Sequence, residues 1–89
     1  MTVTLKFREP NHVKEEIAMH GESIAGFSRR IKVNYSLMIE YLNGKKFPSP
    51  PTAKKIADGL NVEIVDIFFV WLFTNVILNV KITQHAILE

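Results

Sequence analysis

Two apolar stripes of helical period stand only three residues apart in this chain, a spacing that constrains its fold more than any other feature. After Ser23, the residues Ile24, Phe27, Ser28 and Ile31 recur at i, i+3, i+4 and i+7, one face of a helix. Lys32-Val33-Asn34 breaks that phase. Tyr35-Ser36-Leu37-Met38-Ile39-Glu40-Tyr41-Leu42 then resumes it, with Met38, Tyr41 and Leu42 as inward positions, and stops at Asn43-Gly44. Ser23 and Asn34 carry side-chain oxygens that can accept from a free N–H of a first helical turn, so each predicts a helix start. So short a link makes the second helix leave the first at a steep angle. It either packs into a core or is held out for something to touch.

The flanking sequence supplies the rest of a small domain. Residues 2–7 alternate, with Val3, Leu5 and Phe7 sharing a face, which predicts a strand ended by Pro10. Asn11 is the expected cap of a first helix that buries Val13, Ile17 and Met19 and stops at Gly21. Ser49 and Pro50 start a fourth helix whose buried stripe is Ala53, Ile56, Ala57 and Leu60. Gly59 inside it suggests close packing, and Asn61-Val62 ends it. A fifth helix is expected from about Glu63 to about Phe73, with Ile64, Ile67 and Phe68 inward. From Val76 the apolar residues alternate again, predicting a strand over 76–82 that pairs with residues 2–7.

Composition limits the function classes. With 89 residues there is room for one core, so residues 1–89 are expected to form a single domain. Hydrophobic residues make up 47% of the chain and charged ones 22%, the balance of a globular protein. Without cysteine there is no disulfide framework and no thiolate metal site, which fits a cytoplasmic protein. The start of the chain lacks a basic segment followed by an apolar run, so no secretory signal is expected. The apolar stretch from Ile64 to Ile82 approaches the length of a membrane span, but Asp66, Thr74, Asn75, Asn79 and Lys81 interrupt it, and no membrane partner is expected. His12, His20 and His85 have no ligand spacing, and neither a carboxylate pair, a nucleophile–base set nor a phosphate-cradling glycine loop is present. No catalytic residue, metal or cofactor is expected, and the chain reads as a non-enzyme. A net charge of +2 permits an anionic partner without requiring one.

From Gly21 to Phe68 the chain resembles the lambda-repressor-like, Cro/repressor-type (xenobiotic-response-element) helix-turn-helix family. The resemblance rests on the Ser23 cap, Phe27, Ser28 and Ile31, the turn residue Val33, and Met38 and Tyr41. It continues through Asn43-Gly44-Lys45-Lys46, Pro48-Ser49, Lys55-Ile56-Ala57-Asp58-Gly59-Leu60-Asn61-Val62 and Asp66-Ile67-Phe68. It implies an all-α, five-helix domain with a helix-turn-helix core over residues 11–68, carrying short strands at both ends. It further implies a bacterial or phage transcription regulator that places helix 35–42 in the major groove of double-stranded DNA. Asn34, Tyr35, Ser36 and Glu40 would face the bases, and Ser23, Lys45 and Lys46 would contact phosphates. Arg29, Arg30 and Lys32 are further candidates for phosphate contact, at positions that in the family are usually more solvent-facing. Residues 69–82, strongly apolar, are the expected dimerisation element of a homodimer, or else a cover for the domain's own core.

This sequence departs from the family at two points. Ile24 stands where Gln is common, and helix 35–42 has no Arg or Lys, one Glu, and Leu37 and Ile39 at positions often polar. An exposed apolar strip there suits a protein partner, so an antirepressor-like protein binder is the alternative. An antitoxin, joining DNA binding to a protein partner, is a third reading.

Overall fold

The computed structural model describes residues 2–73 and 79–81. In chain order they form β1 (Thr2–Phe7), α1 (Pro10–Met19), α2 (Ile24–Ile31), α3 (Tyr35–Leu42), α4 (Pro50–Gly59), α5 (Ile64–Ile67), β2 (Phe68–Phe73) and β3 (Asn79–Lys81). The five expected helices are present, but the fold is not all-α: an antiparallel sheet in the order β1-β2-β3 closes one side of the helices.

The helices follow their apolar stripes. Phe27, Met38, Ala53 and Ile56 are fully buried, joined by Val13, Ile17, Leu42, Ala57 and Leu60 in one cluster. Burying a side chain of this size contributes about 1.5–3 kcal/mol, more than any single cap or surface pair. Ser28 is the buried polar residue of the cluster, and its hydroxyl donates to the Ile24 carbonyl at 2.7 Å. Two expectations for α1 fail. Its cap position is Glu9 rather than Asn11, because Pro10, with φ preset and no N–H to leave unbonded, already occupies the first turn. Met19 is 77% exposed; it lies two residues beyond buried Ile17 and so leaves the other side of the helix.

The corner between α2 and α3 is built from three backbone choices. Lys32 adopts the left-handed conformation at φ 63°, unusual for a residue with a side chain, and the Val33 N–H reaches back to the Ser28 carbonyl at 2.9 Å. Val33 is buried beneath the turn. Asn34 then starts α3. Behind the corner, α4 comes very close to α2: a Cβ on Gly59 would lie 2.5 Å from Ile31 Cγ2 and 3.0 Å from Phe27 Cε1. Glycine is needed there for space, as its place in the stripe suggested.

The largest departure lies after Asp66. The fifth helix does not run to Phe73; it is a single turn ending at Ile67, held by a capping box between Glu63 and Asp66. Phe68 turns extended, and β2 pairs with β1 along its length, from Phe7 opposite Phe68 to Thr2 opposite Phe73. Thus residues 68–73, not 76–82, are the partner of residues 2–7. The run Phe68-Phe69-Val70-Trp71-Leu72-Phe73 is aromatic and β-branched, and β1 offers it a row of backbone groups that need partners. Leu5 and Phe7 face Val70 and Phe68, and the Phe7 and Phe68 rings stack with centroids 4.5 Å apart. Of the expected strand over 76–82, β3 pairs with β2 rather than with β1; residues 76–78 and 82 lie outside the described residues. In the expected dimerisation element, β2 has one edge paired along its length by β1 and the other paired by β3 at Trp71, Leu72 and Phe73, and residues 74–78 and 82 lie outside the described residues.

Candidate nucleic-acid interface

Met38 and Leu42 fix one side of α3 to the core, which leaves its opposite side and its first turn to solvent. Asn34, Tyr35 and Ser36 stand together there, all exposed, with Tyr35 51% accessible. The Asn34 Oδ1 accepts from the Leu37 N–H at 3.1 Å. That bond occupies the carbonyl oxygen and leaves the two amide N–H donors uncommitted among the described residues. Leu37 and Ile39 do not form an exposed apolar strip: each flanks Met38 and is partly buried, so the surface expected for an α3-borne protein contact is reduced.

The loop after α3 folds back on it. Gly44 takes φ 77°, and the N–H groups of Lys45 and Lys46 both donate to the Glu40 carbonyl, at 2.9 and 3.3 Å. Returned in this way, the Lys46 ammonium sits 3.4 Å from the Glu40 carboxylate. The expected base contact and the expected phosphate contact are thus partners of each other in the free protein. Both are solvent-accessible, so the pair is weak and exchangeable. Lys45 makes no ion pair among the described residues and stays exposed. Phe47, next along, is 49% exposed, while Pro48 is buried.

Ser23 sits at the start of α2, where its Oγ accepts from the Gly26 N–H at 3.0 Å. The hydroxyl proton remains to donate, beside a helix end that favours negative charge. Arg29 is exposed near the other end of α2. Arg30, by contrast, is a brace. Its Nε and Nη2 donate to the two Glu22 carboxylate oxygens at 2.7 and 2.8 Å, and Nη2 also donates to the Gly59 carbonyl at 2.9 Å. The hydrogen bond from Arg30 holds the Glu22 carboxyl below its ordinary range, and the carboxylate in turn raises the guanidinium. This three-way tie between α2, the α1–α2 link and α4 was missed from sequence, where Arg30 reads as a solvated helix position. Only the close seat of Gly59 hinted that a long side chain could reach that carbonyl.

Among the described residues, no group of three or more His, Cys, Asp or Glu side chains is placed to hold a metal ion. No described helix is long and apolar enough to cross a membrane. The chain matches no family model, no curated protein and no solved structure.

Proposed function

We propose that this chain is a sequence-specific, double-stranded-DNA-binding regulator of transcription, of bacterial or phage type, acting in the cytoplasm as a homodimer. The observation that carries the reading is the corner itself. A three-residue turn connects α2 to α3, and α3 is anchored from behind while its first turn presents Asn34, Tyr35 and Ser36 to solvent. The major groove is about 12 Å wide and accepts one helix in this way. Asn34 and Ser36 bond to base edges, Tyr35 offers its hydroxyl and its ring to a thymine methyl, and Glu40 accepts from a cytosine amino group. Ser23, Lys45 and Lys46 hold phosphates and set the register. On insertion Lys46 leaves Glu40 for a phosphate, which frees the carboxylate for a base. Two copies would read half-sites one helical turn apart, roughly 34–36 Å.

Fluorescence anisotropy with duplex DNA from upstream of the chain's own gene, between roughly 50 and 200 mM salt, tests this. Binding that falls steeply with salt and loses sequence preference in Tyr35→Ala/Ser36→Ala supports it. A folded protein that binds no duplex at low salt rejects it. That result would move the assignment to a protein partner, the antirepressor-like or antitoxin reading. One observation favours such a partner: Tyr35 and Phe47 are both half exposed, and α3 carries no cation.

A further inference from the structure

Three grooves on the surface differ in charge. One, by α1 and α5, is lined by Glu9, His12 and Asp66 beside Arg8. A second, between α2 and α4, holds Glu22 and Asp58 as well as Arg30. The third, about 430 Å³, runs between the end of β1 and the end of α3, and among the described residues no carboxylate lines it. Its walls include Lys6 and Arg8 on one side and Tyr41, Asn43 and Gly44 on the other. Lys6, on β1, and Arg8, at the bend that follows it, both line this groove. Arg8 is held in place by its Nε bond to the Val65 carbonyl at 2.8 Å and by its position over the Phe69 ring, 4.6 Å from the centroid. Lys6 is exposed and makes no ion pair among the described residues. The groove opens beside Gly44, immediately before Lys45 and Lys46.

We infer that this groove is a further phosphate-binding site, in which Lys6, supported by the fixed charge of Arg8, holds a backbone phosphate of the same duplex that α3 enters. The inference rests on the proposed DNA-binding function. It adds a positioning contact from β1, distant in sequence from the α3–α4 loop but brought beside it by the β1–α3 packing. Tyr41 and Asn43 add neutral donors to the walls, so an anion there meets hydrogen bonds as well as charge. A phosphate contact carries no base information, so its loss weakens all duplexes alike.

The test measures the full chain on a random-sequence 30-bp duplex, with log K followed against log salt for wild type, Lys6→Gln, Lys6→Arg and Lys14→Gln. Lys14 lies on the exposed side of α1 and serves as a charge-matched control. The expected result is a slope shallower by about 0.9 in Lys6→Gln and an affinity about 5–10-fold lower near 100 mM salt, with Lys6→Arg close to wild type. Lys14→Gln is expected to leave the slope nearly unchanged. Thermal melts by circular dichroism establish that Lys6→Gln remains folded. Wild-type binding with equal slopes in Lys6→Gln and Lys14→Gln overturns this inference while the DNA-binding reading stands. Wild type that binds no duplex at low salt overturns both.

Discussion

The four longer helices begin in two different ways. α2 and α3, the pair that forms the corner, start with a side chain accepting from their own backbone: Ser23 from Gly26 and Asn34 from Leu37. α1 and α4 start with proline and have no such cap; at α4 the Ser49 hydroxyl donates instead to the Thr52 hydroxyl at 3.1 Å. The difference goes with length rather than with the number of buried residues, which is two in α1, α2 and α3 alike: α1 and α4 run ten residues and proline sets their entry. α2 and α3 have eight residues each, and the ends facing solvent have to be held locally. The two caps are also the residues read as phosphate and base contacts. Under the proposed function, rigidity at the exposed ends and recognition would draw on the same side chains.

This contrast can be broken hardest where it predicts burial to dominate. Ile56→Ala, at a fully buried site, is expected to destabilise by about 2–5 kcal/mol in urea unfolding. A loss below 1 kcal/mol would mean α4 is held by something other than its stripe. Next in size are the caps. Asn34→Ala is expected to lose about 1 kcal/mol together with DNA affinity, whereas Asn34→Asp keeps the cap and its stability but loses the amide donors. If Asn34→Asp binds duplex as tightly as wild type, the residue serves α3 alone. Ser49→Ala is expected to change stability by less than about 0.5 kcal/mol, and a cap-sized loss there would erase the distinction between the two kinds of start.

The smallest effect is one of pH at the Glu22–Arg30 brace. Arg30 lowers the Glu22 carboxyl from its ordinary value of 4.5, so the folded state holds the ionised form more strongly than the unfolded chain does. The contribution is present above that value and is lost as pH falls through the lowered one. The gap between thermal melts of wild type and Arg30→Gln should therefore narrow on acidification below about pH 4.5, without closing, since the Arg30 bond to the Gly59 carbonyl does not depend on Glu22; with both groups exposed the effect is modest.

Legibility from sequence divides along physical lines. Stripes of period 3.6 mark α2, α3 and α4 because a helix's buried side repeats in the chain, and the caps are readable because few residue types can make them. β2 is not readable in that way. Phe68 and Val70 close the core while Phe69 and Trp71, on the other side, are also partly buried, so the run is apolar throughout and shows no period to separate strand from helix. What decides it is β1, far away in sequence, whose backbone requires a partner. Within the candidate site, the exposed first turn of α3 follows from the stripe. The Glu40–Lys46 pair does not, because it depends on Gly44 taking a positive φ and turning the loop back. The Arg30 brace likewise depends on how closely α4 approaches α2.

The β1–β2 ladder has a consequence for how the chain acquires its shape during synthesis. β1 is synthesised well before its partner, with all the helices between them: Phe7 pairs with Phe68 and Thr2 with Phe73. The helical corner is made of local contacts and can assemble as soon as α4 has emerged, whereas the ladder is the high-contact-order part of the molecule. Until β2 arrives, the nascent chain carries an open strand edge and the uncovered rings of the core beneath it, the kind of surface on which neighbouring chains associate. Closure of the ladder is thus the step at which a folded corner becomes a folded protein.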